Sequence, residues 1–185
     1  MPPRWIARRK TPLNHLIVEV RITFFSYYGN LPNGWAWCRL EEVLEYEQPA
    51  QYIVESTGYN DDFITPVLTA GKSFILGYTN EKNGICYDLP VIIFDDFTTD
   101  SKYVDFAFKV KSSAMKILRS KYVPLKFLYH YMQTIKCNHT THKRYWISDF
   151  SQKFIVLPPI TEQQRIVMAV EILFEQLDKV SENIS

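Results

Sequence analysis

The chain has 185 residues, 46% of them apolar and 15% aromatic, with 21 Lys and Arg against 20 Asp and Glu for a net charge of +1. This predicts one domain, or one domain with an appendage; it excludes general disorder and a strongly basic fold, so a nucleic-acid reader would need its cations gathered on one face. Without a membrane-length apolar run, a secretory signal at Met1-Pro2-Pro3-Arg4-Trp5 or a CxxC pair among Cys38, Cys86 and Cys137, the sequence is read as a cytoplasmic protein with reduced thiols.

Residues 1–30 open with Arg4, Arg8, Arg9 and Lys10, and Leu16 to Phe25 alternates as a strand would, with Glu19, Arg21 and Thr23 on one face. This segment is a leader, either a flexible appendage or a functional arm. An aromatic stretch at Trp35 leads into a short helix, Leu40 to Tyr46, with Leu40, Val43 and Leu44 inward and Pro49 as its stop. Strands are predicted at Phe63 to Thr69 and Ser73 to Thr79, joined by Ala70-Gly71-Lys72, and Pro66 places the first at an edge or makes it begin late. Asn83-Gly84 is a turn signal. Val91 to Phe94 is a short apolar strand, and Val104 to Val110 alternates with period two, putting Val104, Phe106, Phe108 and Val110 on one face. Pro124 suits the first turn of a helix with Leu125, Leu128, Met132 and Ile135 inward, ending near Cys137-Asn138. A polar loop, Tyr145-Trp146-Ile147 and a strand from Phe154 to Leu157 follow. Strands precede helices, which predicts an α+β fold: a mixed or antiparallel β-rich domain with short helices, then a long C-terminal amphipathic helix of coiled-coil type.

That last helix is predicted from Thr161 to Val180. Thr161 and Gln164 have the spacing of a capping box, and Pro158-Pro159 forbid an earlier start. Ile166, Val170, Leu173, Leu177 and Val180 repeat at four and three, with Val167 and Phe174 widening the stripe. So narrow a stripe on so short a helix is marginal alone and needs a partner surface, either the domain's own or another helix.

Leu157-Pro158-Pro159-Ile160-Thr161-Glu162-Gln163 with Ile166-Val167 resembles the signature that closes each target-recognition domain of type I restriction-modification specificity subunits and opens their conserved helix. Leu31-Pro32-Asn33-Gly34-Trp35-Ala36-Trp37-Cys38-Arg39-Leu40 resembles the opening of the same domain. Together they frame most of the chain. The resemblance implies a DNA target-recognition domain over 31–160 and a helix over 161–185 for dimerisation or methyltransferase docking.

Other constellations are weighed against this. Gly71-Lys72-Ser73 is like the end of a P-loop, but Pro66 stands where the first glycine belongs. Asp95, Asp100 and Lys102 could form a Mg-dependent nuclease core, although the gap between the parts is short for adjacent strands. Cys137-x-His139-x-x-His142 offers three zinc ligands where a structural site wants four. The glycine-rich and Pro-Pro-aromatic motifs of an adenine methyltransferase are missing, and so is a Ser-His-Asp arrangement. The chain is therefore read as non-catalytic, without metal or cofactor.

The resemblance implies sequence-specific binding of double-stranded DNA: one half of a bipartite site is read, while the helix engages a DNA adenine methyltransferase subunit and a restriction/translocase subunit completes the complex. Such subunits hold two recognition domains, so this chain is expected to act as a half-subunit, fragment or recombination cassette, pairing as a homodimer or with a second recognition domain. The candidate DNA contacts are Lys72, Ser73, Tyr78, Asn80, Lys82 and Asn83; Thr98, Thr99 and Lys102; and Lys136, Asn138, His139, Thr140, Thr141, His142, Lys143 and Arg144, rich in phosphate and base-edge donors. The partner-helix residues are Ile166, Val167, Val170, Leu173, Phe174, Leu177 and Val180. A standalone nuclease and a helix-mediated interaction module are the competing functions.

Overall fold

The computed structural model describes residues 31–137 and 143–183, and the predicted strand at Leu16 to Phe25 and loop residues Asn138 to His142 lie outside them. The chain divides into two units, Met1–Trp35 and Ala36–Ser185. The described part of the first is a turn in which the Trp35 N–H donates to the Pro32 carbonyl at 3.1 Å.

The second unit is built on a four-stranded antiparallel sheet. Its strands are β2 (Glu45–Glu47), β5 (Val91–Asp95), β6 (Ser101–Val104) and β8 (Met115–Arg119), in the order β2-β8-β5-β6. Val91 to Phe94 are all buried, because both sheet faces are covered. Ile92, Phe94 and Leu118 face a core with Phe127, Leu128, Met132, Trp146 and Phe150; Val91, Ile93 and Ile117 face the other way, onto Leu68, Phe108 and Val110. The alternation is the ordinary pleat of a strand.

Against the second face lies a sheet of β3 (Thr65–Leu68), β4 (Ile75–Thr79) and β7 (Lys109–Val110), in the order β4-β3-β7. Strand β3 is central, yet β7 joins it only from Val67 onward, so Pro66 sits where one edge is unpaired and no N–H is needed. The chain bends at Asn83-Gly84, although no hairpin of paired strands flanks it among the described residues. Gly84 has φ +64°, and a Cβ there would come within 2.3 Å of the Gln51 carbonyl oxygen.

Three expectations need correction. The helix begun at Leu40 is one turn, α1 (Leu40–Val43), after which the chain extends into β2. The strand expected over Val104 to Val110 breaks: β6 ends at Val104, Phe106 is exposed, and β7 starts at Lys109 to pair with a different sheet. Strand β8 lies between β2 and β5 and was not foreseen, because Lys116 in its middle reads as a surface residue but is fully buried.

Helix α2 (Leu125–Thr134) begins after Pro124 and buries Phe127, Leu128 and Met132, ending slightly before the predicted stop. Helix α3 (Tyr145–Ser148) is one turn, and β9 (Phe154–Leu157) pairs antiparallel with β1 (Ala36–Arg39). The two signature stretches are thus neighbours in space, with Trp37 opposite Val156 and Cys38 opposite Ile155.

Helix α4 (Ile160–Glu182) starts one residue earlier than expected, and the predicted capping box is replaced. Pro159 is the N-cap, without a side-chain cap bond; instead buried Gln163 donates from Nε2 to the Pro158 carbonyl at 2.7 Å, tying the first turn back onto the Pro-Pro step. Glu162 in the first turn and Lys179 in the last suit the helix dipole. Ile166 and Val167 pack on the first core, whereas Leu173, Phe174, Leu177 and Val180 are more than half exposed. Among the described residues no helix is long and apolar enough to cross a membrane.

Candidate nucleic-acid interface

The register of the strands gathers several candidate segments at one end of the sheets. Strand β5 ends at Asp95, β6 returns from Ser101, and β8 departs from Met115 opposite Asp95. The Ala70 N–H points at Met115 Sδ, 3.4 Å away, bringing the β3–β4 turn with Lys72 and Ser73 to this end. Gln133, near the C-terminus of α2, donates to Ser101 Oγ at 2.8 Å, so the chain toward Lys136 emerges here as well. Cys137 hydrogen-bonds with the Thr99 side chain, while burial, reinforced by Asp149, raises its thiol pKa.

Asp96 anchors this end. Its carboxylate meets Lys116 Nζ at 3.0 Å, with both side chains 1% exposed, and accepts the Trp146 N–H at 2.8 Å. The Asp96 carbonyl accepts the Tyr145 N–H, and its own N–H donates to the Ala114 carbonyl. Gln48 Oε1 satisfies Lys116 from the far side at 3.1 Å. A buried pair this well supplied with further hydrogen bonds offsets its desolvation cost and fixes where α3 begins.

Arg144 and Lys143 are tethered inside this arrangement. The Arg144 guanidinium lies 3.6 Å from Asp96 Oδ2 and 5.5 Å from the centre of the Phe97 ring, and donates to the Ser113 carbonyl at 3.4 Å. Lys143 Nζ sits 3.8 Å from Asp149 and over the Tyr145 ring. Thr98 and Thr99 belong to a turn in which Asp95 Oδ1 accepts the Phe97 and Thr98 N–H groups, and Thr98 Oγ1 donates to Asp100. The carboxylates of the nuclease reading are thus engaged in the turn, and no group of metal-ligating side chains forms among the described residues. His139 and His142 of the zinc reading lie outside the described residues.

Asn80, Lys82 and Asn83 are not brought to this end. They follow the other terminus of β4, whose five residues span roughly 17 Å at about 3.3 Å each. There Glu81 and Lys109 form a 2.7 Å ion pair, and Lys109 Nζ also donates to the Asn83 carbonyl. Burial pushes the Glu81 carboxyl up, but Lys109 and the Ser56 and Glu55 N–H groups outweigh it and hold its pKa below the usual carboxylate value. Asn80 and Lys82 border a cleft of about 370 Å³ that also takes in Asp62, Ile64 and Tyr87. Tyr78 stands on β4 opposite Pro66 and is half-buried.

Unpaired cations are distributed unequally between the two ends. Among the described cations, those outside any ion pair are Lys72, Lys82, Lys102, Lys111, Lys136 and Lys179. Lys72, Lys102, Lys111 and Lys136 belong to the Asp95 end or the first strand position below it. Lys111 is not among the candidates taken from the sequence. Strand pairing is what reveals its position.

Comparison with known proteins identifies the family. The family described as "Type I restriction modification DNA specificity domain" matches residues 32–184. The type I restriction enzyme EcoR124I/EcoR124II specificity subunit of Escherichia coli is 48% identical over 158 residues, covering 80% of this chain; the chain spans 39% of that relative. Solved structures share the fold. One, from work on complex assembly and conformational transition of the type I R-M system, has a TM-score of 0.61 at 18% identity and covers 92% of this chain and 49% of that one. The HsdS subunit from Thermoanaerobacter tengcongensis has a TM-score of 0.56 at 18% identity, covering 94% and 49%. The S subunit from M. genitalium has a TM-score of 0.62 at 15% identity, covering 83% and 43%. The chain belongs to the type I restriction modification DNA specificity domain family.

Proposed function

We propose that residues 31–160 read one half of a bipartite site in double-stranded DNA, and that 161–185 form the helix that joins this reader to its partners. The observation that carries the reading is the gathering of ion-pair-free cations at the Asp95 end of a chain whose net charge is only +1. Phosphate contacts from Lys72, Lys102 and Lys136 supply affinity and salt dependence, and Ser73, Thr98, Thr99 and the loop from Lys136 to Arg144 supply groove contacts. Arg144 and Lys143 act from tethered positions, which favours defined geometry over reach. Asn80, Lys82, Asn83 and Tyr78 contribute only if DNA extends along the β3–β4 hairpin.

The exposed stripe of α4, Leu173, Phe174, Leu177 and Val180, supports the second part. Its occupant is a helix of a DNA adenine methyltransferase subunit, a second recognition domain or a second copy of this chain; a restriction/translocase subunit completes the assembly. Co-expression with the methyltransferase subunit, followed by mapping of methylated adenines, tests the whole reading. The expected result is methylation at one defined bipartite sequence, lost when Leu173 and Leu177 are changed together to Glu while duplex binding by the chain persists. Methylation without sequence preference, or unchanged in that variant, would contradict it.

A further inference from the structure

We infer that the turn from Lys111 to Ala114, between β7 and β8, is a phosphate-contacting element of the DNA interface, with Lys111 and Ser113 as its donors. The inference rests on the proposed DNA-reading function and adds a segment that neither the signatures nor the candidate loops contain.

The turn is held from three directions. The Lys111 N–H donates to the Leu68 carbonyl at 3.1 Å, which fixes it beside the β3–β4 turn; the Ala114 carbonyl accepts the Asp96 N–H at 2.9 Å; and the Ser113 carbonyl accepts from Arg144. Within the turn, Ser112 Oγ accepts the Ala114 N–H at 3.3 Å and the Ser112 carbonyl accepts the Met115 N–H. These bonds fix the backbone of the turn, while Lys111 and Ser113 are exposed. Lys111 has no ion pair among the described residues, unlike Lys109 two positions earlier, which is buried against Glu81. A cation and a hydroxyl presented by so firmly fixed a turn lose little conformational freedom when they meet a phosphate. The turn also lies between the β3–β4 turn on one side and Asp96 and Arg144 on the other, so it borders the surface that a duplex touching both would cross.

Phosphate contact is read from the salt dependence of binding. Binding of the full chain to a fluorescent random-sequence duplex, across a potassium chloride series, gives the slope of log affinity against log salt. Lys111→Gln is expected to reduce that slope by about 0.9, the value for one lost phosphate contact in B-form DNA. Lys121→Gln, just past the opposite end of β8, is expected to leave it unchanged. Both side chains are exposed, and matching melting curves would establish that each variant folds. An unchanged slope in Lys111→Gln, with a reduced slope in Lys72→Gln, would overturn the inference and leave the DNA-reading function standing. Failure of the parent chain to bind any duplex, alone or with the methyltransferase subunit, would remove both.

Discussion

Asp96 shows how a single residue serves two purposes. Its side chain neutralises Lys116 in the core and caps the backbone of α3, so the candidate loop and the central strand share one support. Asp96→Asn keeps an acceptor for Trp146 but leaves the Lys116 ammonium buried beside a neutral amide. Urea unfolding is expected to show a loss of about 3–5 kcal/mol. Adding Lys116→Met should recover part of that loss, because the two residues are coupled; a double variant as unstable as the sum of both singles would contradict the pairing. This pair also explains what the sequence hid. Lys116 and Lys109 look like surface residues to any reading based on polarity, and their burial becomes intelligible only through Asp96 and Glu81, which are distant in sequence. Gln163 is the converse case. The sequence marks it within a signature but assigns the capping role to Gln164, and only the bond to the Pro158 carbonyl explains why the amide is needed one position earlier.

Elements whose signals are local were legible: α2 after Pro124, the apolar run of β5, the Asn83-Gly84 bend, the β3–β4 hairpin and the body of α4. The strands whose identity depends on distant partners, β1, β2 and β8, were not: β1 and β2 are short, and β8 carries a lysine in its middle. The junction of α2 and α4 carries a pH signal. His130 stacks on Phe174 with ring centres 6.1 Å apart, near the 2.5 Å Lys126–Glu171 ion pair. Burial depresses the His130 pKa below its ordinary 6.5; Glu171 opposes that shift and Lys126 adds to it. The unfolded chain therefore takes up this proton before the folded one. The corresponding stability is complete above the unfolded value of 6.5 and is lost as pH falls through it toward the depressed folded value. Unfolding free energies measured from pH 7.5 to 5 should decline, and His130→Phe should flatten that decline. An equal decline in the variant would place the titration elsewhere.

At the scale of the molecule, the proposed reading face arises in a chain with almost no net charge because, among the described residues, most cations are paired internally and four of the six that are not lie at or near one end of the sheets. The sequence conveyed the family through two signatures and indicated most of the loops at that end, but not that Lys72, Thr98 and Lys136 converge there while Asn80 and Lys82 stand apart. Loop residues carry no record of their neighbours until strand register is known. Helix α4, about 34 Å long for 23 residues at 1.5 Å each, projects an apolar stripe beyond the core that receives Ile166 and Val167. In the proposed reading, recognition and docking fall on different surfaces of one unit. The most direct test is hydrogen exchange of the full chain with and without duplex DNA. Protection is expected in the turns at 70–74, 95–100 and 111–114 and not along 80–88; protection confined to 80–88, with those turns unchanged, would contradict the account.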